Sequence, residues 1–419
     1  MSELITLGKN SKRAAASLIN LSEEQINQTL LACAKLIREN KDFLKEENQK
    51  DIINAKEKGL SEGFIDRLTL SDKVIEGVAS GIEQVATLKS PVGKQVYSYK
   101  DTLQGFEVVK KTVPFGVIGI IYESRPNVTA DAFALCFKTF NAVILKGGSD
   151  SLNSNKALVK VIKQGLQQNG VDHNAITLIE DTSRETTKAF MKLNKYVDLL
   201  IPRGGATLIK SALENATIPI IETGTGNCHV FVDKSADVKM ASNIIFNAKT
   251  QRYSVCNACE SLVIHSQILA TALPVIANRL LEKKVEIRAD QRAMEVIKDY
   301  PYLAPASDQD FYTEYGDAII SVKTVDDIIE AVEHINEHST KHSECIVTSD
   351  TQNAEYFLNN VDSACVYHNA STRFSDGFQF GLGAEIGIST QKLHARGPMG
   401  LDALVTYKYT VKGDGAVRK

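Results

Sequence analysis

Residues 114–150 read PFGVIGIIYESRPNVTADAFALCFKTFNAVILKGGSD, and the fold turns on this stretch. An apolar run at 117–121 (VIGII) is followed by a helix-like segment at 130–140 and a second apolar run at 142–146 (AVILK). Neither apolar run alternates with polar residues, so both read as strands covered on two faces, as in a parallel sheet. The pattern continues outward with strand-like runs at 175–179, 197–202 and 218–222 and helix-like segments at 151–168, 184–193 and 205–216. Strand–helix–strand repetition implies right-handed crossovers and a doubly wound sheet. A second series at 228–232, 260–264, 318–322, 344–348 and 363–368 predicts another α/β unit.

Toward the N-terminus, Ser22 and Gln25 form a capping-box pattern ahead of Ile26, Leu30, Ala34 and Ile37 at helical spacing. Residues 95–112 are rich in β-formers around a polar turn at Gln104-Gly105, which predicts a hairpin. Its polar side suits an arm packed on another subunit better than a core element.

The chain has 419 residues, more than one core comfortably supports, with 43% hydrophobic and 24% charged residues. A net charge of −3 with no long basic run argues against nucleic acid or an anionic membrane as partner. No signal-length apolar run opens the chain, and no aliphatic stretch reaches membrane-spanning length, so a cytoplasmic protein is expected. Seven scattered cysteines suit reduced thiols better than a disulfide framework.

Several constellations could carry chemistry. Lys146-Gly147-Gly148-Ser149 closes a strand, where a lysine meets phosphate or ribose and glycines admit a ligand to the backbone. The plain alternative is a strand end with a solvated lysine. Arg203-Gly204-Gly205 precedes a helix, whose first N–H groups attract pyrophosphate, or is simply a tight turn. Gln251-Arg252-Tyr253-Ser254-Val255-Cys256-Asn257-Ala258-Cys259 places a cysteine in a polar, arginine-bearing loop suited to a nucleophile; an inert buried thiol is the alternative. A second C-x-x-C is missing and His334, His338 and His342 lack an H-E-x-x-H pattern, so no metal is expected. The region 369–400 offers Arg373 and Arg396 for carboxylate or phosphate recognition, or ordinary surface loops.

The order of these signals is more specific than any one. Pro114–Gly119, Asn141–Lys146, Glu222, Cys256 and Glu314-Tyr315-Gly316 together resemble the aldehyde-dehydrogenase superfamily. The runs Tyr122–Val128, Val325–Ile346 and Leu393–Gly400 resemble its branch that reduces glutamyl 5-phosphate, and the likeness covers nearly the whole chain. The resemblance implies an aldehyde-dehydrogenase-like α/β fold. Its cofactor-binding domain would span 1–94 and 113–225, its catalytic domain 226–402, and its β-hairpin oligomerisation arm 95–112 with 403–419. It implies an oxidoreductase of proline biosynthesis that uses NADPH to convert L-glutamyl 5-phosphate to L-glutamate 5-semialdehyde through a Cys256 thioester.

By the same resemblance Cys256 is the nucleophile, with Asn127 as candidate oxyanion donor. Lys146, Ser149, Gly204, Gly205, Glu222 and Glu314 fall to the cofactor. Ser149, where NAD-preferring relatives often carry Glu, favours NADPH. Glu222 aligns with the general base of hydrolytic relatives. Arg125, Arg252, Arg373 and Arg396 are implied anion binders for the substrate. A homo-oligomer and contact with the glutamate 5-kinase that makes the labile acyl phosphate are the implied partners. Two other functions stay open: a hydrolytic NAD-dependent aldehyde dehydrogenase of the same fold, and a non-catalytic binding member.

Overall fold

The structure, a computed structural model, describes residues 2–418. It divides into two compact units: Met1–Glu222 with Gly381–Gly387 and Met399–Lys419, and Thr223–Phe380 with Ile388–Pro398.

The first unit opens with helices Ser2–Leu18, Glu23–Glu39, Lys41–Glu57, Glu62–Leu68 and Asp72–Thr87. The expected capping box forms. The Ser22 hydroxyl accepts the Gln25 N–H at 3.2 Å, and the Gln25 side chain accepts the Ser22 N–H at 2.8 Å. Ile26, Leu30, Ala34 and Ile37 are all fully buried, as the spacing predicts.

Four parallel strands form its sheet, in the order Ile176–Leu178, Ala142–Lys146, Val117–Tyr122, Leu199–Arg203. The first strand in sequence therefore lies between the second and the last, so connections leave it in opposite directions. Open α/β sheets bind ligands at such a switch point, which here falls at the carboxyl ends of Val117–Tyr122 and Leu199–Arg203.

One sequence expectation fails here. Residues 218–222 make no strand, only an isolated parallel bridge between Leu200 and Ile220. Pro219 has no N–H to donate, and its carbonyl accepts the Leu200 N–H at 2.8 Å before the chain leaves the sheet.

The hairpin Gln95–Asp101 and Phe106–Pro114 forms as expected and is joined by Val405–Gly413 in an antiparallel sheet of three strands. Val96, Tyr97, Tyr99, Tyr407, Tyr409 and Val411 on these strands are exposed.

The second unit holds a fully parallel sheet of seven strands, in the order Leu303–Pro305, Glu286–Ala289, Ile319–Val325, Cys259–His265, Cys228–Val232, Ser343–Val347, Cys365–His368. Helices Val238–Thr250 and Ser266–Leu281 bury their apolar sides against it. The two short strands at one end of this sheet, Glu286–Ala289 and Leu303–Pro305, were not anticipated: both runs are brief, and the first is partly charged. Among the described residues no helix is long and apolar enough to cross a membrane.

Candidate functional site

In the first unit the candidate cofactor residues sit at the carboxyl ends of the sheet. Lys146 ends the strand Ala142–Lys146 and is 4% exposed; its ammonium donates to the Gly147 carbonyl at 3.3 Å. Burial lowers the Lys146 pKa, opposed by the charge of Asp181. Gly147 must lack a side chain, because a Cβ there would lie 2.3 Å from Asn155 Nδ2. That amide belongs to a buried chain of hydrogen bonds. Tyr122 and Thr129 share one at 2.6 Å, Thr129 donates to Asn155 at 2.9 Å, and Asn155 donates to Ser151 at 3.0 Å. Ser149 is exposed on the short turn that follows, and neighbouring Asp150 accepts from Lys58 at 2.7 Å.

At the switch point, the half-exposed turn Arg203-Gly204-Gly205 opens the helix Ala206–Asn215. The Gly205 N–H donates to the Glu123 carboxylate at 2.9 Å, and a Cβ on Gly204 would lie 2.7 Å from the same oxygen. An anion therefore already rests at this helix start, where the backbone favours negative charge. A buried lysine, glycines that admit close approach and an anion-holding helix start all fit a phosphorylated dinucleotide. Glu123 is a residue sequence reasoning passed over; it stands in the quoted run without any spacing to mark it.

Arg125 is exposed in the loop before the helix Asn127–Lys138. Asn127 donates its amide to Asp131 at 3.1 Å, and burial pushes the Asp131 carboxyl up to about 6, opposed by Asn127 and by the charge of Arg203. Glu222 is half-buried at the last residue of this unit's first segment.

In the second unit Cys256 lies on the irregular loop between helix Val238–Thr250 and strand Cys259–His265. All seven cysteines are free, and Cys256 alone is not buried. Burial pushes the thiols of Cys33 and Cys345 up to about 12 and raises those of Cys136, Cys228, Cys259 and Cys365. Cys259, the other half of C-x-x-C, points its sulfur at the Ser261 carbonyl at 3.4 Å inside the strand.

The backbone of Cys256 is held from below. Its carbonyl accepts from the Cys228 thiol at 3.2 Å and packs on Gly226 so closely that a Cβ on Gly226 would lie 1.4 Å from that oxygen. Next to it, the buried Asn257 amide donates to the Ser375 carbonyl at 2.9 Å, and the Thr372 hydroxyl donates to the Asn257 carbonyl at 2.7 Å. These ties bring Arg373 to the loop, where its guanidinium donates to Gln251 at 2.9 Å. Burial lowers the Arg373 pKa, while the thiol of Cys256 draws it up and the charge of Arg252 pushes it down. Cys256, Arg252 and Arg373 are thus within electrostatic reach of one another. Arg396 is elsewhere: it pairs with Asp362 at 2.9 Å, beside Lys341 and Lys392. The Glu314 carboxylate accepts the Gly226 N–H at 2.9 Å.

The histidine run supports the same turn. His334 and His338 lie on the helix Ile328–His338, which ends before His342. The His338 carbonyl accepts from Asn227 at 3.0 Å, and the Thr340 hydroxyl accepts the Asn227 N–H at 2.9 Å. Burial pushes the His334 imidazole down to about 2 and His342 to about 4. Among the described residues no group of three or more His, Cys, Asp or Glu side chains could hold a metal ion.

Comparison with known proteins agrees with the sequence resemblance. The model of the aldehyde dehydrogenase family matches residues 6–296. A γ-glutamyl phosphate reductase of Caldicellulosiruptor bescii is 54% identical over 420 residues, covering all of both chains, and one of Listeria monocytogenes is 52% identical over 418 residues with the same coverage. The crystal structure of γ-glutamyl phosphate reductase from Thermotoga maritima superposes with a TM-score of 0.97 at 45% identity over all of both chains. An acetylating aldehyde dehydrogenase from Geobacillus thermoglucosidasius shares the fold, with a TM-score of 0.71 at 17% identity, covering 100% of this chain and 98% of its own.

Proposed function

The chain belongs to the aldehyde dehydrogenase family, and within it to the γ-glutamyl phosphate reductases, and from that premise we propose that it reduces L-glutamyl 5-phosphate to L-glutamate 5-semialdehyde with NADPH, releasing phosphate, in cytoplasmic proline biosynthesis. The observation that carries the mechanism is that Cys256 is the one cysteine not buried, on a loop that carries Arg252 and is tied to the turn bearing Arg373.

The Cys256 thiolate attacks the acyl carbon. A C–S bond forms, the acyl C–O bond breaks, and phosphate leaves with the electron pair. An acyl phosphate is already activated, so this step needs little acid assistance. Arg252 and Arg373 favour the thiolate over the thiol and attract the anionic substrate. The Cys256 backbone N–H faces the developing oxyanion. Asn127, one of whose two amide hydrogens is taken by Asp131, is the proposed side-chain donor beside it. NADPH, when bound, supplies the hydride that reduces the thioester carbonyl. The resulting thiohemiacetal on Cys256 collapses to the aldehyde and returns the thiolate.

In this reading Lys146 and Ser149 receive the adenosine ribose and its 2′-phosphate, and Gly204-Gly205 receives pyrophosphate. Arg125 and Arg396 are left as outer attractors of substrate. Glu314 is fixed on Gly226 and supports the nucleophile loop. Glu222 has no water to activate in a reductive route. The exposed aromatic sheet of Gln95–Asp101, Phe106–Pro114 and Val405–Gly413 serves as the arm of a homo-oligomer. The lability of an acyl phosphate favours handover from glutamate 5-kinase.

The reverse direction tests this, because the forward substrate is unstable. Glutamate 5-semialdehyde with phosphate and NADP should give phosphate-dependent cofactor reduction that Cys256→Ala abolishes. Reduction that proceeds equally without phosphate would instead mean a hydrolytic aldehyde dehydrogenase with Glu222 as base.

A further inference from the structure

The loop that carries Cys256 is irregular and is held partly by its own backbone. Between Thr250 and Cys259 its internal backbone hydrogen bonds include Val255 N–H to the Tyr253 carbonyl and Ala258 N–H to the Val255 carbonyl, each at 3.0 Å. Its two ends, however, are joined underneath by charge. Lys249, in the last turn of helix Val238–Thr250, pairs with Glu260, the second residue of strand Cys259–His265, at 2.5 Å. Both side chains are 0% exposed. The pair stands in a buried part of the core, where Ala248, Cys259 and Leu262 are fully buried and Ser261 is the other polar residue beside Glu260.

The pair is also the first link of a longer chain. The second oxygen of Glu260 accepts the Gly316 N–H at 3.2 Å. Two residues earlier, Glu314 accepts the Gly226 N–H at 2.9 Å. Gly226 is the glycine on which the Cys256 carbonyl packs. From Lys249 the contacts thus run through Glu260, the 314–316 turn and Gly226 back to the peptide of Cys256.

We propose that the buried Lys249–Glu260 pair is a positioning device that fixes both ends of the nucleophile loop and, through Gly316, Glu314 and Gly226, the backbone of Cys256. Neither residue touches substrate. A buried ion pair is a poor source of stability, since apolar or neutral replacements of similar volume are often tolerated, while a charge left alone in the interior is not. What such a pair does supply is one fixed geometry. Burial pushes the Glu260 carboxyl up to about 7, opposed by Lys249 and by the Gly316 N–H, so its charged form depends on those two partners and not on solvent. A displacement of the nucleophile by about 1 Å lowers rates by about a hundredfold, so loss of the clamp should be read in the chemistry more than in the fold.

The inference rests on Cys256 being the nucleophile, and its test separates the two. The full-length protein, the double variant Lys249→Met with Glu260→Gln, and Cys256→Ser are compared. The readouts are alkylation of residue 256 by iodoacetamide at neutral pH, kcat and KM for semialdehyde oxidation, and thermal midpoint. The neutral pair keeps volume and leaves no lone charge. It should hold its midpoint to within about 5 °C and KM to within about twofold, while kcat and the Cys256 alkylation rate each fall by about tenfold or more. If that double variant is not soluble, Lys249→Leu with Glu260→Gln, which likewise leaves no lone charge and keeps an acceptor for Gly316, carries the same criteria. Kcat and alkylation within twofold of the parent in a folded variant would overturn the positioning role and leave the proposed function intact. A parent protein whose Cys256 alkylates no faster than a free thiol, and whose activity survives that alkylation, would overturn both.

Discussion

The carboxyl-end loops of the first unit and the cysteine loop of the second are both irregular and both assigned to function, yet they are built on opposite plans. At the first, the contacts are exchangeable. A surface carboxylate, Glu123, sits on the Gly205 N–H, and Lys146 donates to a neighbouring carbonyl at 3.3 Å. At the second, the contacts are fixed. Cys256 rests on Gly226, Asn257 is tied to the 371–375 turn, and the loop ends are joined by a buried ion pair. A surface that must take up and release a cofactor needs polar groups satisfied by something a ligand can displace. A nucleophile must stay in place, so its surroundings are over-determined. Substitutions at the two loops should therefore differ in kind: second-unit changes should alter kcat, first-unit changes KM or affinity for NADP.

The largest effect is expected at Gly226. Its side chain would have to occupy the position of the Cys256 carbonyl, 1.4 Å away, and a backbone atom cannot rotate aside. Gly226→Ala should lower kcat by about a hundredfold or more. A variant with normal kcat would show that the Cys256 backbone is not held where this contact places it.

Next is Asn257→Ala, which removes the bonds to the Ser375 and Arg373 carbonyls. About 1–2 kcal/mol of stability should be lost in denaturant unfolding, because those carbonyls are left without a partner. Kcat should fall by about tenfold as Arg373 drifts from the loop. A change in KM alone would place Arg373 with substrate binding only.

A third effect concerns pH. The folded-state pKa of His342, about 4, lies below its ordinary value of 6.5 because burial disfavours the charged ring. As pH falls through 6.5 the unfolded chain takes up the proton first. Stability is therefore complete above about 6.5 and declines toward 4, by about 3 kcal/mol from this residue alone. His342→Asn should flatten the thermal midpoint between pH 7 and 5; an unchanged slope would remove His342 as its source.

The smallest effect should come from the exchangeable loop. Glu123→Gln weakens the anion on the Gly205 N–H without changing its shape, and should tighten NADP binding by about threefold in calorimetry with kcat nearly unchanged. A loss of kcat here would erase the contrast between the two loops.

The sheet strands were legible because a strand covered on both faces must be largely apolar: 117–121 is so throughout, 142–146 up to its closing Lys146, and 228–232 apart from His229. The run at 218–222 misled for the same reason: hydrophobicity says that a segment is buried, and Pro219 decides that it cannot join the ladder. Cys256 stood out through its polar surroundings. The residues that hold it did not. Lys249 and Glu260 are eleven positions apart on a helix and a strand, a distance at which sequence carries no periodic signal. A charge inside the apolar strand 259–265 was the only mark. Gly226 carried no mark in the sequence of its contact with the Cys256 carbonyl.

The most direct test of the central claim is a single-turnover experiment without phosphate. Enzyme mixed with glutamate 5-semialdehyde and NADP should give a burst of about one equivalent of reduced cofactor per Cys256 and then stop. Mass spectrometry should find the acyl group on that cysteine, and added phosphate should restart turnover. Steady turnover without phosphate, or an acyl group on any other residue, would contradict the account.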